Sequence, residues 1–522
     1  MLVVLSDFHF QQDHFCTDRN LDPNALRLFF EQLARAAAKK KARELIVVLN
    51  GDIFDHIRNP RWLQENEEGL TFRPYEDHEP QKGEMLTEDT DAVAWDIHQA
   101  IESDPRVKES IALLHAIAHG DDDIFTHGPR PRFLYIPGTA DRLANLSPRI
   151  NARIREILNL FPPDPDHVHT NPPRLFPYQL LFAAGLPEGY PRAEDQLGLE
   201  AGSLDYATLV CHGHEFDWMS CEFNQDENLL GRILTPADSH LYALSPLSDW
   251  LAIDLICDLA YRFLQECGGE EQELIPVNRE IYRCLLDAQD VRPPLRVLQY
   301  LMWRLDDEQW KRVRHIVRDV LKKARRHFRL KKWLTRHDRS WVPDRADKIQ
   351  AALAALGRFG DAIPDSVLAR IARRASTRSG PDEPPVELVR RDPIWECEEI
   401  HTLCLGHFHD PGMHTLTVLD GHPKIAVGTG TWRRRHKLCA DEMSHIVLRT
   451  MAYAIFYRPE EQAATKSYRL EFWRGKTITH PSDPQTTEAE ATQGTPAHVS
   501  TGQNPPAEPV VSDDTTNEET NA

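Results

Sequence analysis

The chain has 522 residues, 41% of them hydrophobic and 27% charged, with a formal net charge of −20 at pH 7. That length exceeds one ordinary core, so a large domain with an insertion or second domain is expected. The acidic balance argues against a chain that coats nucleic acid along its whole length, and no apolar run is long enough to span a bilayer.

Leu2 to Leu5 is a short apolar strand. The amino terminus MLVVLSDFHF carries no basic region before it and meets Asp7 at once, so it reads as a first strand and not as a signal peptide. The strand ends in Ser6-Asp7-Phe8-His9. In an extended segment Asp7 and His9 point to the same side, where a carboxylate and an imidazole can chelate a metal; a surface DxH pattern without function is the plainer alternative. Asp22-Pro23 marks a helix start, followed by Leu26, Phe29, Phe30 and Leu33 at helical spacing. Leu45 to Leu49 is a buried strand running into Asn50-Gly51-Asp52. Gly51 permits a sharp turn, and Asp52 falls at the carboxyl end of the strand, where open α/β sheets place their ligands. The β-α-β order implies a right-handed crossover that brings Asp7 and Asp52 to one sheet edge. Asp55 reads as a brace for the loop. Gln64 to Asp91 is polar and acidic and reads as a long solvated loop, with a lid as the alternative.

Ala92 to Ile101 and Val107 to Ile117 show helical patterns. Phe133 to Ile136 is a strand followed by Gly138-Thr139-Ala140-Asp141, where Asp141 is placed to cap the helix suggested by Ile150, Ile154, Ile157 and Leu158, or an earlier turn of it. Tyr206 to Cys211 is a strand that enters His212-Gly213-His214. From about Trp250 to Arg374 the pattern is helical with few strand signals. Lys311 to Arg339 holds thirteen Lys and Arg against Asp319 and Asp338. It reads first as the solvated face of a helix packing through Val313, Ile316, Val320, Leu321 and Leu330, and second as a nucleic-acid contact. Glu399 to Leu405 returns to strand and ends in Gly406-His407-Phe408-His409. Ile425 to Val427, Ile446 to Tyr457 and Tyr468 to Phe472 are further strands. Beyond Lys476 there is no Lys or Arg, and the tail has too little apolar surface to offset the entropy of ordering. Nine cysteines without a CxxC pair suit reduced thiols in a cytoplasmic protein.

Asp7, His9, Asp52, His212, His407 and His409 all stand at strand-to-loop junctions. Imidazole and carboxylate in this ratio suit two divalent first-row ions such as Mn, Fe or Zn. Two such ions clamp a phosphate. The chain resembles the calcineurin-like metallophosphoesterase superfamily. The motifs that carry the resemblance are Asp7-Phe8-His9, Gly51-Asp52-Ile53-Phe54-Asp55, Gly138-Thr139-Ala140-Asp141, His212-Gly213-His214 and Gly406-His407-Phe408-His409. It covers residues 1–248 and 399–475, leaving 249–398 as a helical insertion and 476–522 as a disordered tail. The resemblance implies two mixed β-sheets packed face to face with helices outside. It also implies that Asp7, His9, Asp52 and His409 bind one metal, that Asp52 bridges, and that His212 and His407 bind the other. A hydroxide held between the ions would then attack the phosphorus of a phosphorylated substrate.

The departure is at Thr139 and Ala140, where the family has Asn, a ligand of the second metal, and His or Arg, which contacts the phosphate or protonates the leaving group. Thr139 offers a weaker neutral oxygen and Ala140 offers nothing. Loss of a general acid typically costs ~100- to 10,000-fold; His14, His56 and His214 are the nearby substitutes. Two readings follow: a metal-dependent phosphoesterase acting on an activated ester, diester or anhydride, or a weakened member of the family that serves as a binding module. A nuclease that uses the basic segment is a third.

Overall fold

Side chains alternate between the two faces of a strand, so a strand that is apolar throughout must be covered on both. The first three strands are of this kind. In β1 (Leu2–Leu5), β2 (Leu45–Asn50) and β3 (Pro131–Ile136) every residue except Arg132 is buried. They lie parallel in the order β3-β2-β1, and α1 (Pro23–Lys40) makes the crossover between the first two. Asp22 caps α1 by accepting from the Asn24 amide, with Pro23 at the first helical position.

Val3, Leu5, Val47, Leu49, Phe133 and Tyr135 face one way and pack with helices that include α1, α2 (Glu88–Ser103), α3 (Pro105–His119) and α4 (Pro148–Ile157). Leu2, Val4, Ile46, Val48, Leu134 and Ile136 face the other way and meet a second sheet through Leu180, Phe182, Val210, Cys404 and Val427. The second sheet consists of β4 (Gln179–Phe182), β5 (Thr208–Cys211), β7 (Thr402–Leu405), β8 (Gly412–Leu419) and β9 (His422–Gly428), in the order β4-β5-β7-β9-β8. The first sheet continues from β1 through β11 (His445–Phe456) and β10 (Arg434–Leu438) to β6 (Val291–Arg292), and β12 (Leu470–Thr479) pairs with β11. Both sheets mix parallel and antiparallel pairs. The fold is therefore an α/β sandwich of two mixed sheets with helices outside, the class expected from the sequence.

This computed structural model describes residues 1–14, 17, 19–75, 86–160, 175–183, 190–200, 202–217, 219–221, 242, 245–292, 296–327, 331, 386–419, 422–441, 444–458, 461 and 470–479. Met1–Thr479 belong to one compact unit. Among the described residues no helix is long and apolar enough to cross a membrane, and the eight cysteines are unpaired.

The helical stretch after Leu247 builds a core of its own, with Ile256, Phe263, Ile281, Leu285, Tyr300, Val313, Ile316 and Val320 buried together. The helix Asp307–Arg326 carries the first part of the basic segment. Its apolar stripe packs into that core, while Lys311, Lys322 and Lys323 pair with Glu308, Asp319 and the Asp254/Asp258 pair. The rest of that segment, apart from His327 and Lys331, lies outside the described residues.

Several details differ from expectation. The cap of α4 is Ser147, whose hydroxyl accepts from the Ile150 amide; Asp141 makes no capping bond and is used elsewhere. α2 begins at Glu88, inside the expected loop, because Thr87 supplies an N-cap. β12 runs to Thr479, four residues into the expected tail, and the remainder of the tail lies outside the described residues. The helical region also contains β6, whose Val291 and Arg292 pair with His436 and Lys437 of β10.

That pairing is locked by buried charge. Asp290 accepts from Arg433 Nε at 2.5 Å, and Arg58 Nη1 stands 4.0 Å away. Burial alone would push the Asp290 carboxyl up, but Arg433, Arg19 and Arg58 hold it at about 2. Its folded pKa lies below the unfolded value of about 3.9, so its contribution is full above that value and is lost as pH falls toward 2. Asp290→Asn leaves Arg433 buried with less compensation and should destabilise the protein by about 3–5 kcal/mol in chemical denaturation at pH 7. The difference from wild type should shrink as the titration is repeated between pH 4 and pH 2. A variant that matches wild type at pH 7 would show that the arginines find other partners.

Candidate metal centre

Five loops converge at the carboxyl ends of β1, β2, β3, β5 and β7. The ladder between the first two strands continues past β1, with the Asp7 amide donating to the Gly51 carbonyl at 3.0 Å and the His9 amide to the Asp52 carbonyl at 2.8 Å. Asp7, His9, Asp52 and His407 all have positive φ, from 50° to 60°. Their side chains converge through left-handed turns, and not through the simple alternation of an extended segment. Left-handed backbone is costly for residues other than glycine and gathers at functional sites. Gly51, with φ +79°, permits an approach that no side chain would: a Cβ there would lie 2.2 Å from His212 Nδ1.

The six residues form two groups. Asp7, His9 and His409 make one, and Asp52, His212 and His407 the other. His9 Nε2 lies 3.3 Å from His409 Nε2 and 3.5 Å from Asp7 Oδ1, and His409 Nε2 lies 3.7 Å from Asp7 Oδ1. His212 Nε2 is 3.4 Å from Asp52 Oδ2, and His9 Nε2 is 3.7 Å from the same oxygen. Ligands held ~2.1 Å from one cation stand roughly 3.0–3.5 Å apart, so each group could hold a metal ion, with Asp52 between them.

Orphaned polar atoms support that fit. Asp7 Oδ1 and His212 Nε2 are buried without a hydrogen-bond partner, a cost that a cation would remove. His212 Nδ1 lies 2.8 Å from the Asn50 carbonyl, which fixes the proton there and leaves the Nε2 lone pair facing Asp52. His407 Nε2 contacts Asp217 Oδ2 at 3.0 Å, so its Nδ1 is the nitrogen left for a ligand.

The charges follow the geometry. Burial raises the Asp7 carboxyl to about 7. Burial also acts to raise Asp52, but His212, His407 and the Ala140 amide hold it well below the ordinary range. Burial lowers the imidazoles of His9 and His409, assisted by Arg58 and Arg292, and keeps them neutral. Burial would also lower His212, yet Asp52 draws it up to about 10. A cation between the two would supply the positive charge that Asp52 otherwise draws onto the ring. One contact opposes loading. Arg58 Nη2 donates to His9 Nδ1 at 2.8 Å, which places the proton of a neutral ring on Nε2. Ligation through Nε2 would need Arg58 to turn away; Asp55 Oδ2, 3.8 Å from Nδ1, is then the acceptor at hand.

The 138–141 loop closes the centre. The Ala140 amide donates to Asp52 Oδ1 at 2.7 Å, and Thr139 Oγ1 lies 3.4 Å from Oδ2. Asp141 accepts from the Gly138 amide at 2.5 Å, the Asp52 amide at 3.2 Å, the Ile53 amide at 2.8 Å and the Tyr135 hydroxyl at 2.6 Å, so it braces the loop and is not a ligand. Of the substitutes for the absent histidine at Ala140, His14 is paired with Glu271 and His56 with His98. His214 stays near, its ring 5.3 Å from that of His212. Asp55 braces Arg58 at 2.6 Å.

A cleft of about 130 Å3 opens beside the two groups, lined by His9, Asp52, His407 and His409 on one side and by Leu251, Ile256 and Arg292 of the helical region on another. Sequence reasoning missed Asp217, Arg58 and Arg292. Asp217 lies five residues after His212 and could have been noticed as a carboxylate beside a histidine loop; the arginines carry no pattern.

Asp52→Asn keeps the shape and removes the shared charge. Wild type incubated with Mn and desalted should retain about two equivalents. The variant should retain less than one, and His409→Ala about one, by elemental analysis. Full retention by Asp52→Asn would remove Asp52 from the shared position. No protein-family model and no curated protein sequence matches this chain, so the residues of the centre themselves carry the functional reading.

Proposed function

We propose that the chain is a metal-dependent phosphoesterase of the calcineurin-like kind, a hydrolase using two divalent ions from among Mn, Fe and Zn. The observation that carries this reading is the pair of adjoining Asp/His groups with Asp52 between them, at the mouth of a cleft. Mixed nitrogen and oxygen ligands suit borderline first-row ions better than calcium or magnesium. Such ions would supply Lewis acidity toward a phosphoryl group and acidify water at neutral pH. The protein contributes orientation. The Ala140 amide fixes one oxygen of Asp52, the Asn50 carbonyl fixes the His212 tautomer, and Asp217 fixes His407. The unpaired cysteines among the described residues suit a reducing compartment, and we place the protein in the cytoplasm.

Ala140 lines the cleft with a methyl group, so this loop offers the leaving group no imidazole or guanidinium, only the weakly acidic hydroxyl of Thr139. The reading therefore favours substrates whose leaving group departs without protonation. The same feature favours a second reading, a weakened enzyme kept as a binding module. Thr139→Asn should tighten the second ion by supplying an amide oxygen. Ala140→His should speed hydrolysis of poor leaving groups by ~100-fold or more, and that of good leaving groups by much less, because a donor matters most where charge builds on the departing oxygen. Rates for an alkyl phosphate and an aryl phosphate, with metal content measured alongside, test both. Background rates in every variant with both ions bound would favour the binding module.

A further inference from the structure

The cleft beside the two Asp/His groups is not polar throughout. Leu251, Ala252 and Ile256 line it from one helix, and Ile57 and Met219 add to them from the segments that follow Asp52 and His212. Ile57, Met219 and Leu251 are buried in one apolar cluster, with Ala252 packed against it. The helix runs without a break through Leu247–Trp250, Leu251–Cys257 and Asp258–Glu266. Its middle seven residues form a π-helix, ending where the Asp258 amide donates to the Ile253 carbonyl five residues back. Such segments are rare and gather at functional sites. Bonds of that span place Leu251 and Ile256 one turn apart, and both line the cleft. Buried charge holds the segment in place. Asp249, in the turn before it, accepts from Arg142 Nη2 at 2.6 Å and Nε at 3.0 Å, and Arg142 immediately follows Asp141. Asp254 meets Arg73 at 3.3 Å and Lys323 at 2.9 Å. The apolar wall is thereby fixed relative to the 138–141 loop and Asp52. Leucine, isoleucine and alanine return nothing to a sugar hydroxyl or a second phosphate that gives up its water, whereas an apolar group gains by leaving water. The cleft has about 130 Å3, and an apolar cavity of about 150 Å3 holds benzene.

We propose that the wall formed by Leu251, Ala252 and Ile256 seats one aromatic ring of the substrate, so that the substrates are aryl esters of phosphate. The inference rests on the phosphoesterase reading and narrows its substrate class. It also suits Ala140. A phenol ionises at about pH 10, as the tyrosine side chain does, so a phenolate departs without a strong proton donor beside it. In the hydrolysis the water oxygen bonds to phosphorus, and the bond from phosphorus to the aryl oxygen breaks with its pair left on that oxygen. One water proton stays on the product phosphate and the other reaches the phenolate through solvent.

Calorimetric titration of the Mn-loaded full chain with phenylphosphonate and with methylphosphonate separates the two levels of the proposal, because neither ligand is hydrolysed. Wild type should bind the phenyl ligand ~10-fold or more tightly than the methyl one, and with the more negative heat-capacity change that buried apolar surface gives. Ala252→Leu fills the space of the ring, and Ala252→Asn puts an amide on the wall. Both should lose most of the preference and keep the wild-type affinity for methylphosphonate. Metal content and melting temperature close to wild type establish that the variants are folded. A wild type with no preference for the phenyl ligand, or with equal heat-capacity changes for the two, would overturn the proposal whatever the variants do. A preference that survives in both folded variants would remove the wall as its source. Failure of Mn-loaded wild type to bind either ligand would sink the phosphoesterase reading, and this one with it.

Discussion

The Asp141 carboxylate is the interaction on which the centre depends. It is fully buried and accepts four hydrogen bonds, two from the amides of Asp52 and Ile53 at the end of β2, and two from Gly138 and Tyr135 at the end of β3. Strands of one sheet fix only the distance between their axes; where their loops go is a separate matter. Asp141 settles it by tying one loop onto the other, and the Ala140 amide arrives at Asp52 as a consequence. A buried carboxylate is costly unless its acceptor capacity is used, and here it is used by three backbone amides and the Tyr135 hydroxyl.

The second constraint is that the candidate ligands come from both sheets. Asp7, His9 and Asp52 follow strands of the first sheet; His212, His407 and His409 follow strands of the second. Direct bonds cross between them. Asn50 Nδ2 donates to the Cys211 carbonyl at 2.8 Å, and the His407 amide donates to Asp7 Oδ2 at 3.0 Å. Any shift of one sheet over the other would part the Asp/His groups, so the apolar layer between the sheets sets the precision of the site as well as the stability of the fold.

The strands that carry the six Asp/His positions were readable because each is a buried apolar run that stops at a glycine or a polar pair, whereas the sandwich was legible only through the resemblance those motifs carry. What was not readable has physical reasons. β10, Arg434–Leu438, is basic up to Leu438 and shows no apolar run; its charges are met by Asp287 and Asp410, a fact of tertiary partners. β6 is too short for any period to show. The true cap of α4 was present as Ser147-Pro148, a standard start signal, but the more conspicuous Asp141 drew the assignment. The left-handed backbone at Asp7, His9 and His407 has no mark in residue type.

The 138–141 loop divides its labour between backbone and side chain. Gly138 must be small, because a Cβ there would lie 2.3 Å from Asp52 Oδ1, and Asp141 must be acidic to serve its four donors. Between them, Ala140 serves the fold through its backbone, whose amide donates to Asp52 Oδ1 and whose carbonyl accepts from the His56 amide at 3.1 Å, groups that every residue but proline possesses. Thr139 makes only long contacts, through its hydroxyl. The two inner positions are thus uncoupled from folding. Both positions line the cleft beside Asp52, which makes this loop a place where the lining of the cleft can change while the bonds that hold the scaffold stay fixed.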